Sequence, residues 1–232
     1  KAYDTAGALD NVKAALHPRA GVVILQNGMG AQQQAAEQIT PVPVWAGSTT
    51  DGAWLKAPFH VVFAGQGETR LGLLGSDSNP ALPPGLSPSA ELTLLADHNI
   101  ELSLWQKLAI NCAINPLTAW YDCPNGELAE HRHKHEHMAR LCEEIEQLAL
   151  AKGLLLFPEG VFKRAKQVAL ATRTNLSSML QDVRHGRPTE LNYITGYLLG
   201  EAHKLNMTLP ANQQLFTHIR QGLKHNDLYS TD

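Results

Sequence analysis

Gly21-Val-Val-Ile-Leu-Gln-Asn-Gly-Met-Gly30 is the stretch on which the fold turns. Val22 to Leu25 are apolar without alternation and too few for a helix, which is the pattern of a strand buried on both faces in a parallel sheet. A helical pattern over residues 3–16 precedes it, with Ala6, Leu9, Val12 and Leu16 expected on one side. Asn27-Gly-Met-Gly30 then makes a tight turn into a second helical stretch, Ala31–Gln38. Helix, strand and helix in this order predict an α/β arrangement. Further strand signals fall at Val42–Ser48 and His60–Ala64, with Asp51-Gly52 as a turn between them. Residues 76–89 are rich in Ser, Pro and Gly and read as a loop or inter-domain connection. From about Asn99 the texture becomes helical, with candidates at 101–121, 134–152, 159–183, 189–205 and 211–224. The expected architecture is therefore α/β over residues 1–98 and all-α over 99–232.

Composition narrows the class. The chain has 232 residues, 44% of them hydrophobic, enough for one large domain or two small ones. A net charge of −3 without a basic block argues against a nucleic-acid partner. No apolar run approaches the ~20 residues that cross a bilayer, and no signal peptide is visible. Cys112, Cys123 and Cys142 form no CxxC pair, so free thiols in a reducing cytoplasm are expected. The helical pattern begins at once after Lys1 without an initiator Met, as expected of a stretch from inside a longer protein.

The most chemical segment is Leu104-Trp-Gln-Lys-Leu-Ala-Ile-Asn-Cys-Ala-Ile-Asn-Pro-Leu-Thr-Ala-Trp120. Lys107, Asn111 and Asn115 recur every four residues, and on an α-helix each such step turns by only about 40°. One ammonium and two amides thus form a polar column in an apolar helix. A solvent-facing stripe is the plain alternative. Such stripes usually use Glu, Lys, Arg and Gln rather than Asn, a weaker helix former. Pro116 then kinks or tightens the helix just after the last amide.

Other motifs are weaker. Gln26-Asn-Gly-Met-Gly30 lies at the carboxyl end of a parallel strand, where ligands of open α/β sheets bind. Gly65-Gln-Gly-Glu-Thr-Arg-Leu-Gly72 has the wrong spacing for a dinucleotide turn and opens no helix, so it reads as a hairpin turn. His131, His133, His135 and His137 form two i,i+4 pairs, but Arg132, Lys134 and Glu136 between them point to a solvated helix start, and no metal is expected. Asn175 and Ser178 are expected on one helical face, with Asp182 one turn beyond Ser178. Glu190, after Pro188-Thr189, is expected in a first helical turn, where the helix dipole favours its anion.

Taken in order, these pieces resemble the 2-dehydropantoate 2-reductase (ketopantoate reductase) family. The landmarks are Gln26-Asn-Gly-Met-Gly30, Gly47-Ser-Thr-Thr-Asp-Gly-Ala53 and Lys107 to Thr118. Pro124-Asn-Gly-Glu-Leu128, Ser177-Ser-Met-Leu-Gln-Asp182 and Thr189-Glu190 follow. The resemblance spans essentially the whole chain. It implies a Rossmann-type NADP-binding domain over 1–98, without its GxGxxG half, followed by a helical substrate domain over 99–232, with substrate between them. It further implies cytoplasmic, NADPH-dependent reduction of the 2-oxo acid 2-dehydropantoate to pantoate, in pantothenate and coenzyme A biosynthesis.

Lys107 would be the general acid, with Glu190 as the second catalytic residue and an anchor for bound ligands. Asn27, Asn111, Asn115, Asn125 and Ser178 would hold substrate, and Lys1, Asn27, Ala53 and Glu190 would border NADPH. The glycine turn that cradles the pyrophosphate in the family would precede Lys1, so this stretch alone is expected to bind NADPH poorly. The family includes monomers and dimers, which leaves a homodimer open. Two other readings stand beside it. One is a non-catalytic helical module for dimerisation or ligand binding. The other is a related 2-hydroxy-acid or 6-phosphogluconate-type dehydrogenase, which would call for clustered basic residues where Arg173, Arg184 and Arg187 are scattered.

Overall fold

The computed structural model describes residues 1–17, 19–75, 82–89 and 92–222. The part of the expected 76–89 loop at 76–81 lies outside the described residues, as do 223–224 of the last helix. The described chain forms two compact units, Lys1–Leu104 and the residues from Trp105 onward. Their make-up matches the expected class, mixed α/β first and helical second.

The first unit opens with a 3₁₀ turn, Ala2–Asp4, that runs into α1 (Thr5–Val12) and a second 3₁₀ turn, Lys13–Ala15. Of the expected face, Leu9 is buried and Leu16 packs against the core, whereas Ala6 and Val12 are exposed and Ala2 and Thr5 are buried instead; Val12 is 46% exposed. The 3₁₀ turns at both ends change the pitch, so a face extrapolated at a constant 3.6 residues per turn drifts off the core. β1 (Val22–Ile24) leads through the glycine turn to α2 (Ala31–Gln38) and β2 (Val44–Thr49), which is parallel to β1 with Val22 opposite Val44. Leu9, Ile24, Ala35, Ile39 and Val44 pack together as the core between these helices and strands.

β3 (Gly52–Ala57) and β4 (His60–Gly65) form a separate two-stranded antiparallel ribbon. β5 (Thr69–Leu73) returns antiparallel to β2, and β6 (Leu94–Ala96) is parallel to β5, giving the order β1-β2-β5-β6. The sequence reading had no strand at β3, β5 or β6. It also took Gly65–Gly72 as a hairpin turn. Residues 66–68 instead carry the chain from one sheet to the other, and Thr69–Gly72 lies in β5. A Cβ at Gly47 in β2 would stand 2.3 Å from Leu25 Cδ2 and 2.8 Å from Leu71 Cδ2, so a side chain there needs both leucines to shift.

α3 (Ile100–Tyr121) starts where Asn99 Oδ1 accepts from Leu102 N and Ser103 Oγ donates to Asp97. The second unit is built around it. Leu108, Ala109, Cys112, Ala113 and Leu117 are at most 1% exposed, so α3 is covered on most of its circumference. α4 (Glu127–Glu130), α5 (Arg132–Ala151), α6 (Val161–Ala171) and α7 (Ser178–Arg184) follow, then a π-helical turn, Asn192–Gly196, α8 (Tyr197–Lys204) and α9 (Pro210–Gly222). Two glutamates of α5 tie the bundle together at helix starts. Glu146 accepts from Val161 N of α6, and Glu144 accepts from Ala211 N, Asn212 N and Asn212 Nδ2 of α9. These bonds satisfy amides that the helices cannot satisfy themselves.

The expected helix over 159–183 is interrupted: α6 ends at Ala171 and α7 begins afresh at Ser178. Ser177 caps α7 by accepting from Leu180 N at 3.1 Å, and N-capping Ser stops a helix from running through. The expected helix over 189–205 begins with the π-helical turn. Glu190 precedes it, its carbonyl accepting from Tyr193 N and Ile194 N. No helix among the described residues is long and apolar enough to cross a membrane. All three cysteines are free and buried. Burial pushes the Cys112 thiol far up and that of Cys142 up to about 12, so both are inert as thiolates at neutral pH.

Candidate active site

The polar column of α3 is not a solvent stripe. Asn115 is 8% exposed, Asn111 and Lys107 are half-buried, and their neighbours on the helix are core. Burial lowers the Lys107 pKa, while the negative charge of Glu190 pulls it back up. Glu190 is itself 4% exposed. An ammonium and a carboxylate thus face each other electrostatically inside the helical unit, with two amides extending the same column. Such a site can offer a proton and a charge to a ligand oxygen and hydrogen bonds to its other polar atoms.

Asn125 joins from the loop between α3 and α4. Its Nδ2 donates to Thr172 Oγ1 at 2.9 Å and its backbone N–H to Asn175 O at 3.0 Å. Thr172 Oγ1 lies 2.7 Å from Val168 O, so its only proton is committed there. It can therefore only accept from Asn125, which fixes the amide orientation. Asn125 Oδ1 is left buried with no hydrogen-bond partner. A buried carbonyl oxygen without a donor is costly, and a ligand hydroxyl would satisfy it. The neighbouring Gly126 admits the close approach of this loop: a Cβ there would stand 2.7 Å from Arg173 Cβ.

Ser178 departs from its expected setting. It is exposed, and Asn175 does not share its helical face because Asn175 lies in the connection before α7. Asp182 is 2% exposed and accepts from Arg187 Nε at 3.0 Å. Glu190 does not lie in the expected first helical turn: it precedes the π-helical turn, whose start its backbone carbonyl serves. Sequence reasoning missed Thr118, Thr172 and Ser177, whose hydroxyls are spent inside the site. Only the Ser before Ser178 carried a signal, as a helix N-cap.

In the first unit, Asn27 is half-buried at the carboxyl end of β1, in a turn with Gly28 at φ 81° and Gly30 at φ 98°. Gln32 holds this turn by donating to Gly28 O at 3.0 Å, and Gln33 accepts from Gly30 N. Gln26 Oε1 and Gln32 Oε1 are buried without partners. Gln32 is 0% exposed, so its oxygen belongs to the turn's interior. The partly exposed Gln26 and Asn27 beside a glycine turn at a parallel strand end are the side chains that fit a ligand with polar groups, such as a nicotinamide cofactor. Ala53 is exposed on β3, opposite Phe63. Lys1 is exposed ahead of the first turn. Asp51 anchors the Gly47–Ala53 motif: it accepts from Gly67 N at 2.8 Å and from the hydroxyls of Thr49 and Thr69.

The four histidines do not converge. His133 Nδ1 and His137 Nδ1 lie 3.1 and 2.9 Å from the Tyr121 hydroxyl, His135 stands edge-on to Phe162, and His131 is near Glu127.

Models of two families cover most of the chain. One described as ketopantoate reductase PanE/ApbA matches residues 1–76, and one described as its C-terminal part matches residues 99–223. The chain belongs to the ketopantoate reductase family. The 2-dehydropantoate 2-reductase of Salmonella typhimurium is 31% identical over 233 residues, covering 95% of this chain and 71% of that protein. Among solved structures, the PanE/ApbA family ketopantoate reductase of Ralstonia eutropha superposes with a TM-score of 0.82 at 24% identity, covering 96% of this chain and 73% of that one. D-mandelate dehydrogenase, solved with NADH, also gives 0.82 at 23% identity, over 97% of this chain and 77% of its own. At those identities the two structures speak to the fold, a Rossmann-type domain with a helical one.

Proposed function

We propose that this protein is a cytoplasmic 2-dehydropantoate 2-reductase that uses NADPH to make pantoate for pantothenate and coenzyme A synthesis. Residues 1–98 serve the cofactor and 99–232 the substrate. The observation that carries the reading is the column of Lys107, Asn111 and Asn115 inside α3, with Glu190 acting on the ammonium. Family membership supports the substrate class, and the glycine turn with Gln26 and Asn27 at the carboxyl end of β1 supports a cofactor there.

When bound, the reduced nicotinamide supplies the hydride that C2 of the 2-oxo acid receives. Lys1, Asn27, Ala53 and Glu190 would hold it. Negative charge then grows on the C2 oxygen, and Lys107 Nζ–H donates its proton there. An ammonium gives charge stabilisation and the proton from one group. Burial keeps the Lys107 pKa below that of a free lysine, which makes the proton easier to give. Asn111 and Asn115 donate to substrate oxygens without changing charge state. Asn125 Oδ1 accepts from the substrate hydroxyl, and Ser178, exposed at the start of α7, adds a donor. Glu190 maintains the ammonium and anchors ligand hydroxyls.

A panel of 2-oxo acids, each run with NADPH and with NADH, tests this on the intact protein. Highest kcat/KM for 2-dehydropantoate with NADPH is the expected result. Equal turnover of a 2-oxo acid without the hydroxyl would overturn the substrate assignment, and a preference for NADH would overturn the cofactor.

A further inference from the structure

Three segments of the helical unit carry residues assigned above to the substrate. They are α3 with Asn115, the loop before α4 with Asn125, and α7 with Ser178. One residue touches all three, its side chain two of them and its backbone the third. Thr118 is 0% exposed, and its Oγ1 lies 3.0 Å from Asn115 O and 2.6 Å from Ser177 Oγ. Its backbone carbonyl accepts from Cys123 N at 3.2 Å, where α3 gives way to the loop that presents Asn125. Ser177 Oγ in turn accepts from Leu180 N and so sets where α7, and with it Ser178, begins. The loop and the approach to α7 are joined again by Asn125 N–H donating to Asn175 O.

The protons of this cluster can be assigned. Each hydroxyl donates once. If Thr118 donates to Asn115 O, Ser177 donates to Thr118, and Leu180 N–H donates to Ser177, every polar group is satisfied with one proton each. Both hydroxyls are sealed from water, since Ser177 is 6% exposed. Losing the Thr118 hydroxyl leaves the Ser177 proton without its acceptor, and losing Ser177 leaves the Leu180 N–H without its own, in a buried site. A hydrogen-bonded buried network of this kind fixes geometry more sharply than apolar packing does.

We propose that Thr118, through Ser177, is a positioning residue that holds Asn115, Asn125 and Ser178 in register for the 2-oxo acid. The inference rests on the substrate assignment made above. Thr118 itself touches no ligand in this account. Losing its hydroxyl loosens α3 at Asn115 from the start of α7 at Ser178, and reaches Asn125 through the approach to α7, which Asn125 N–H holds at Asn175 O.

The test is Thr118→Val, which keeps the branched shape and deletes the hydroxyl, alongside Thr118→Ser, which keeps the hydroxyl. Steady-state kinetics on the intact protein read KM for 2-dehydropantoate and for NADPH separately. Thr118→Val is expected to raise the 2-oxo acid KM about 10-fold or more, as an ångström-scale misplacement does, and to leave the NADPH KM within about twofold. Thr118→Ser is expected to return both to near wild type. A folded Thr118→Val with unchanged KM, an equal rise for both ligands, or a Thr118→Ser that behaves like Thr118→Val would overturn the proposal. Should circular dichroism find Thr118→Val unfolded, Ser177→Ala removes the other hydroxyl of the pair and is read by the same criteria. Wild-type turnover with an unaffected variant strikes only at the bridge. A wild type that turns over no 2-oxo acid removes the functional reading and this inference together.

Discussion

Asn125→Leu separates a residue kept for folding from one kept for ligand. Leucine shares the branched heavy-atom skeleton of asparagine, has no polar atoms and is larger, its methyls standing where the amide oxygen and nitrogen stood. Two polar effects on stability oppose each other. The change deletes the 2.9 Å bond from Nδ2 to Thr172, a neutral pair that contributes about 0.5–1.5 kcal/mol. It also removes Oδ1, an unpaired buried acceptor whose burial costs about 1–3 kcal/mol. Thr172 keeps its own bond to Val168 O, so nothing else is orphaned. The polar balance runs from a loss of about 0.5 to a gain of about 2.5 kcal/mol, and fitting the larger leucine costs about 1–3 kcal/mol. The sum, from about −3.5 to +1.5 kcal/mol, moves Tm by about 2–4 °C per kcal/mol. Binding moves in one direction only. Losing one hydrogen bond to a substrate hydroxyl weakens the 2-oxo acid roughly 2- to 13-fold. Differential scanning calorimetry and the KM for 2-dehydropantoate are measured on the same preparation. A folded variant whose KM is unchanged would refute the reasoning, because Asn125 would then hold no substrate hydroxyl.

Lys107→Ala is expected to lower kcat by about 10²–10⁴, the usual contribution of a positioned acid, and wild-type turnover would remove Lys107 from that role. Glu190→Gln tests the electrostatics. A general acid works while protonated, so activity is lost as pH rises through its pKa. Glu190 raises the Lys107 pKa against burial, so neutralising it should shift the alkaline limb of the kcat profile to lower pH. A limb that stays or moves upward contradicts the pairing. His137 gives a stability prediction. Burial, followed by the charges of Arg140, His133 and His218, lowers its pKa from 6.5 to about 4. Between those values the unfolded chain holds a proton that the native state does not, so this group costs stability as pH falls from 6.5 to about 4. His137→Gln should flatten the fall of Tm across that window, and an unchanged slope would show that other groups control it.

How much could be read without coordinates follows the range of the interactions involved. The helix of Lys107, Asn111 and Asn115 was legible because its signal is local: helical geometry alone aligns residues four apart. The parallel pair β1 and β2 was legible for the same reason, from an unbroken apolar run beside a turn. β5 and β6 were not. Thr69–Leu73 is held by pairing with β2, more than twenty residues earlier, and its alternation is too short to stand out. The break between α6 and α7 was misread because residues 172–177 have no proline or glycine to stop a helix. Their carbonyls are instead drawn to Asn125 and Gly126 from a distant loop.

The amino-acid sequence by itself thus determined the family, the division into an α/β and a helical part, and the residue types of the site. Periodicity and ordered motifs are properties of the chain and survive without a fold. Which amide is left unsatisfied, which serine caps and which faces water, and which carboxylate acts on the lysine were decided only by the tertiary structure. Those facts depend on desolvation and on hydrogen bonds between distant segments, as between Thr118 and Ser177, 59 residues apart, and no local pattern encodes the distance between them.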